Sequence, residues 1–284
     1  MILHDGYGFR EDSIELNAAG PAFRFGFSFF ETLLWNGSAP CRLGAHLRRI
    51  HASLDAFGLR HETSDLGPVI AQVAARNGLI GRTARVNIIY HVDVAPDAAL
   101  DASSDASDAR PLHPVVLIAP YAVPSPDRAL ALGICPRPLH SWLGAHKSAN
   151  HLPYWLAGRE AAAQGLDGAV LTTPDGHVLE ASNAALILRE HERDGGRYVA
   201  PAAPGEGAGR AGILPSTALA AAREVLPIES RPVCVEELSR FEAIYSLNSL
   251  IGMLPVTAIG EAHFAADPTP CAMVRSRVHA VDGE

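Results

Sequence analysis

Lysine is almost missing from this sequence. Lys147 is the only one in 284 residues, while arginine fills the other 22 of the 23 Lys-plus-Arg positions. Cysteine is scarce too: Cys41, Cys135, Cys234 and Cys271 lie far apart and form no CxxC pair. That excludes a CxxC redox motif and offers no structural-zinc spacing, so no metal is expected. No apolar run approaches the roughly 18 residues a membrane-spanning helix needs. The opening Met1-Ile-Leu-His-Asp has no positively charged stretch ahead of an apolar one, which argues against a secretory signal. The formal charge is −8 and no basic cluster offsets it, which excludes a general nucleic-acid binder. HExxH and GxSxG are both missing. The expectation is a soluble cytoplasmic protein with reduced thiols, without nucleic-acid or membrane partners.

What is present is ordinary globular composition, 48% apolar and 19% charged, at a length that allows two domains. The aromatic run Phe25–Trp35 ends at Asn36-Gly37, a hairpin signal that predicts a returning strand through Pro40 and Arg42. Leu43, Leu47, Ile50, Leu54 and Phe57 recur at three- and four-residue spacing and predict a helix over 44–57, stopped by Gly58. A second helix is expected over 68–76, and strands over 85–92 and 114–119. Residues 95–110 form an Ala/Asp/Ser-rich stretch read as a loop. These elements predict an α+β domain over 1–119, a proline-containing linker over 120–129, and a second domain over 130–284. In the latter, a helix over 152–164, a hairpin over 168–181 and a helix over 217–225 with Ser216 as N-cap are expected.

Some apparent motifs fail on context. Gly207-Ala-Gly-Arg-Ala-Gly212 fits GxGxxG but follows a proline-rich loop, not a strand. Gly144-Ala-His-Lys-Ser148 has histidine where a phosphate-binding P-loop needs glycine. Lys147 is left without a competitor. On a solvated surface lysine and arginine are near substitutes, and one lysine could persist by drift. They differ where an amine must lose its proton and attack a carbonyl, because guanidinium stays protonated. Such lysines form Schiff bases with aldehydes, pyridoxal phosphate among them.

Four stretches resemble the class IV aminotransferase family, fold-type IV of the pyridoxal phosphate enzymes. Phe25-Gly-Phe-Ser-Phe-Phe-Glu-Thr-Leu33 is similar to its aromatic-Gly-Asp-Gly-x-Phe-Glu-Thr strand, with Gly26-Phe-Ser28 replacing Gly-Asp-Gly. Leu43-Gly-Ala-His-Leu-Arg-Arg-Ile50 resembles its Leu-x-x-His-Leu-x-Arg-Leu helix. Lys147 with Asn150 and Leu152, followed by Val178-Leu-Glu-Ala-Ser-Asn183, resembles its Lys…Glu-x-x-x-Asn core. Gly212-Ile-Leu-Pro-Ser-Thr217 and Leu247-Asn-Ser-Leu-Ile-Gly-Met-Leu-Pro-Val256 resemble its two phosphate-side loops, with Leu-Pro-Ser-Thr-Ala218 standing for Leu-Pro-Gly-x-Thr-Arg.

The resemblance implies a small N-terminal α/β sandwich domain and a larger C-terminal α/β barrel-like domain. It implies that Lys147 holds pyridoxal 5′-phosphate as a Schiff base and that Glu180 pairs with the pyridine nitrogen. Read without the family, Glu180 is an acid beyond a hairpin turn and Arg49 an arginine on a helix's polar side. With it, Arg49, Ser216, Thr217, Asn248 and Ser249 hold the phosphate, while Phe30 and Tyr90 wall the substrate pocket or belong to the core. A homodimer acting on a small amino substrate is implied as well. Three activities share the scaffold: branched-chain L-amino acid transaminase, D-amino acid transaminase, and 4-amino-4-deoxychorismate lyase of folate biosynthesis. Asn248-Ser-Leu resembles the lyases' loop more than the transaminases', so the lyase is expected, with a catalytically dead cofactor-binding homologue as the reading from another class.

Overall fold

The computed structural model describes residues 1–93, 111–139, 141–191, 196–203 and 213–283. The Ala/Asp/Ser stretch, the Gly207–Gly212 motif and His140 lie outside the described residues. The chain divides into two compact units. One comprises residues 1–122, 146–150 and 281–284, and the other 123–145 and 151–280.

The first unit is a five-stranded antiparallel sheet in the order β2-β1-β5-β4-β3: β1 Ile2–His4, β2 Phe9–Glu11, β3 Ser28–Trp35, β4 Ala84–His91 and β5 Val115–Pro120. A short helix, α1 (Pro21–Phe25), precedes β3. Helices α2 (Leu43–Ala56) and α3 (Gly67–Arg76) pack on one sheet face, since period-2 alternation turns Phe29 and Leu33 of β3 and Val86, Ile88 and Tyr90 of β4 towards them. The expected Asn36-Gly37 hairpin is only partly formed. The turn is there, with Asn36 N–H bonded to the Ala39 carbonyl, but the return is one bridge, Trp35 to Pro40. β3 instead pairs along its whole length with β4, from Ser28–His91 to Trp35–Ala84. Helix α2 begins after Arg42, which has a positive φ of 48° and a donor-only side chain that gives no cap. The Asp282 carboxylate takes the role by accepting the Gly44 N–H at 2.6 Å.

The outer edge of β3 is covered by the lysine segment. The Phe30 N–H donates to the Lys147 carbonyl at 2.9 Å, and the Ala149 N–H donates to Ser28 at 2.8 Å. Phe29 and Ser148 form a bridge between them. These bonds make residues 146–150 part of the first unit.

The second unit is built on a curled mixed sheet, β11-β10-β9-β12-β13-β6-β7-β8. Its strands are β6 Leu130–Ile134, β7 Gly168–Thr172, β8 Val178–Ala181, β9 Ala185–Glu190, β10 Tyr198–Pro201, β11 Ile228–Arg231, β12 Phe241–Asn248 and β13 Gly252–Ile259, with the short β14 Ala262–His263 on β13. A bridge from Ala181 to Ala184 closes the tight turn between β8 and the start of β9. The interior is aliphatic, with Val170, Val178, Leu186, Leu188, Ile244 and Val256 fully enclosed or nearly so. Helices α4 (Leu152–Ala163), α5 (Thr217–Arg223) and α6 (Cys271–Val278) flank it, α4 against β7 and α5 and α6 against β12 and β13. The expected helix over 217–225 ends at Arg223, and Ser216 caps it as expected by accepting the Leu219 N–H at 3.1 Å. Among the described residues no helix is long and apolar enough to cross a membrane, and no cluster of His, Cys, Asp and Glu could hold a metal.

Candidate active site

Glu31 and Phe30 are neighbours on β3 and therefore point to opposite faces. Glu31 faces α2 and is fully buried. An isolated carboxylate there would be costly, so it must be paired. His46 and Arg49 sit three residues apart on α2 and both reach it. His46 Nδ1 lies 2.6 Å from Oε2, while Arg49 donates from Nε to Oε1 at 2.6 Å and from Nη2 to Oε2 at 2.5 Å. Burial acts to raise the Glu31 pKa, but the hydrogen bonds and charges of His46 and Arg49 outweigh it and hold the carboxyl down at about 2. Neither Glu31 nor His46 stood among the residues expected at the site, although both fall inside the stretches that carry the family likeness.

Phe30 takes the other face. Its ring centroid is 4.5 Å from Lys147 Nζ, a cation–π distance. The next residue back, His146, points towards α2. Its Nδ1 is 3.1 Å from Ser53 Oγ and its ring meets Phe57 edge-on. Burial lowers the His146 pKa, favouring a neutral ring beside the lysine. The alternation His146-in, Lys147-out follows from the strand-like pairing of this segment with β3. Main-chain bonds thus set where the amine stands. Tyr90 belongs to the helix side of the sheet, not to the face of Phe30. It is 1% exposed in the core, and its hydroxyl donates to the Glu62 carbonyl at 3.1 Å.

In the second unit Glu180 lies on β8 and is 7% exposed. The Tyr154 hydroxyl, on α4, donates to its Oε1 at 3.2 Å. Three loops meet at the end of β12. Asn248 Nδ2 donates to the Asn183 carbonyl at 3.0 Å, tying the loop after β12 to the turn that follows β8. Asn248 Oδ1 accepts the N–H groups of Leu250 and Ile251 at 2.9 and 3.0 Å, closing its own turn. Ser249 Oγ lies 3.1 Å from Thr217 Oγ1, beside the Ser216 cap at the start of α5. Of the residues the sequence suggested, Ser216, Thr217, Asn248 and Ser249 are gathered in one place. Arg49, Lys147 and Phe30 belong to the first unit and Glu180 to a separate pairing with Tyr154 in the second. Tyr154 carried no sequence signal beyond its helix.

The donor set has a definite chemistry. The first unit offers one primary amine, and the second offers a buried carboxylate already met by a neutral O–H and, separately, a pair of hydroxyls beside the first amides of a helix. These suit, in turn, an aldehyde, a protonated ring nitrogen and a phosphate. Arg49 adds a guanidinium whose Nε–Nη2 edge is engaged by Glu31.

A model of the amino-transferase class IV family matches residues 28–259. Among solved structures, the chain is similar to a hypothetical aminotransferase from Mycobacterium tuberculosis in its apo form, at 19% identity and a TM-score of 0.76 over 98% of this chain and 99% of that one. It is similar to the branched-chain aminotransferase of Thermoproteus uzoniensis with norvaline, at 20% identity and a TM-score of 0.77 over 98% and 93%. A Legionella pneumophila protein provisionally assigned as a 4-amino-4-deoxychorismate lyase matches at 19% and 0.75 over 93% and 94%. At these identities the likeness is one of fold, the two-part α+β architecture of fold-type IV. No match is found among curated proteins.

Proposed function

This chain belongs to the class IV aminotransferase family of pyridoxal-phosphate-dependent enzymes, and we propose that within it the protein is a 4-amino-4-deoxychorismate lyase, releasing 4-aminobenzoate and pyruvate. When bound, pyridoxal phosphate supplies an aldehyde for the substrate amine and a protonated ring that draws electrons from the carbon bearing that amine. Lys147 is the amine that holds the aldehyde and, once displaced by substrate, the base that takes the proton from that carbon. Glu180 keeps a proton at the pyridine nitrogen. Thr217, Ser249, Asn248, Ser216 and Arg49 hold the phosphate through hydroxyls, amides and the guanidinium. Phe30 lies against the amine and lines the space next to it.

In the lyase reaction the C–O bond to the enolpyruvyl group breaks as the ring becomes aromatic. The proton taken by Lys147 then returns to the leaving enolpyruvate, and no second keto acid is consumed. The observation carrying this choice is the Asn248-Ser-Leu loop. Its asparagine side chain clasps both its own turn and the Asn183 carbonyl, giving that residue type a structural reason to stand where the transaminases have another sequence. The proposal includes a cytoplasmic homodimer serving folate biosynthesis, as the family resemblance implies.

Purified holoenzyme given 4-amino-4-deoxychorismate, L-isoleucine and D-alanine separately tests the choice. The expected result is fluorescent 4-aminobenzoate from the first and no change with the others. Conversion of the cofactor to its amine form by either amino acid, without 4-aminobenzoate release, would assign the chain to the transaminases.

A further inference from the structure

Glu180 sits among apolar neighbours on β8, with Val178, Leu179 and Ala181 all buried. The terminal torsion of a glutamate is broad and leaves the carboxylate plane poorly set by rotamer preference alone. A ring nitrogen needs an oxygen held in one direction. From the hydrogen bond that Tyr154 gives Glu180 Oε1 we infer that Tyr154 is a positioning residue, fixing the carboxylate for the cofactor's pyridine nitrogen. The inference rests on the assignment of Glu180 to that nitrogen.

The phenol is well placed for this. Its ring stacks on His151 at a centroid distance of 4.3 Å with 3° between planes, which aims the hydroxyl from the first turn of α4. Burial raises the Tyr154 pKa, and the charge and hydrogen bond of Glu180 raise it further. The hydroxyl therefore remains a donor throughout the working range, and the carboxylate always has a neutral partner with which it cannot exchange charge. Donation to one oxygen also withdraws electron density from the carboxylate. This restrains it from pulling the proton off the ring, which would weaken the electron sink.

The test uses holoenzyme of the full chain and two readouts other than activity. These are the cofactor dissociation constant, by fluorescence, and the pH midpoint of the cofactor's visible absorbance. Tyr154→Phe is expected to weaken cofactor binding about tenfold, as for loss of a hydrogen bond to a charged group, to shift the absorbance midpoint, and to lower kcat more than it changes KM. Replacing Tyr154 by 3-fluorotyrosine keeps the shape and strengthens the donor, so its midpoint should move in the opposite sense. This variant also covers failure of the phenylalanine protein to fold. If both variants leave affinity and midpoint unchanged while Glu180→Gln alters them, the role of Tyr154 is overturned and that of Glu180 stands. If Glu180→Gln also changes neither, the assignment of Glu180 falls and the inference with it.

Discussion

Lys147→Arg is expected to give a folded protein without turnover and without covalently attached cofactor. Arginine preserves length, charge and contact with the Phe30 ring, whose centroid lies 4.5 Å from the lysine nitrogen. The main-chain bonds that dock residues 147–149 on β3 do not involve the side chain. Stability should therefore stay close to that of the parent. Chemistry should not, because guanidinium can neither attack the aldehyde nor accept the substrate proton. Loss of the base alone accounts for roughly 10²–10⁴-fold in rate, and loss of the covalent link adds to it. Borohydride reduction followed by peptide mapping checks the assignment directly. The parent should yield a reduced vitamin B6 adduct on the peptide containing Lys147, and the arginine variant none. An adduct elsewhere, or turnover in the variant, would dismiss the lysine from its proposed role.

The second large effect concerns Glu31. Removing one member of a buried charge pair strands the other, typically at about 3–5 kcal/mol. Glu31→Gln should lose stability of that order, read as a lower urea midpoint with an unchanged slope. If Arg49 holds the phosphate as proposed, cofactor affinity should fall too, because its guanidinium loses the bidentate anchor that Glu31 provides. The acid dependence supplies an independent signature. The folded carboxyl is held at about 2 against an ordinary 4.5. A depressed value means that the stabilisation is complete above about 4.5 and fades as pH falls towards 2. It is worth roughly 3 kcal/mol across that window. Parent and variant should therefore differ most near neutrality and converge below pH 3. Parallel stability curves down to pH 2 would rule out the Glu31 carboxylate as the source.

Much of the local structure was legible because its signals are local. The three- and four-residue spacing of Leu43, Leu47, Ile50 and Leu54 yields α2, observed over Leu43–Ala56. The alternation of residues 85–92 yields β4, observed over Ala84–His91. Asn36-Gly37 misled, since a turn signal says nothing about which strand provides the ladder. β3 pairs instead with β4, roughly fifty to sixty positions downstream from Trp35–Ala84 to Ser28–His91, with Phe29 and Leu33 in the core under the helices. The short β1, β2, β10 and β11 and helix α6 escaped notice because segments of three to eight residues carry little periodicity. The site divides in the same way. Residue types could be read from the stretches around Lys147, Glu180 and Thr217. Their partners could not, because Glu31 with Arg49 and Tyr154 with Glu180 are contacts made only by folding.

The docking of residues 147–149 along β3 has a consequence beyond chemistry. β3 is a terminal strand of its sheet, rich in phenylalanine and leucine, and a bare rim of that kind invites pairing between molecules. The segment bearing the amine is also the guard over that rim. Insertions that loosen it in pursuit of altered reactivity should make the protein prone to aggregate before they make it a different catalyst.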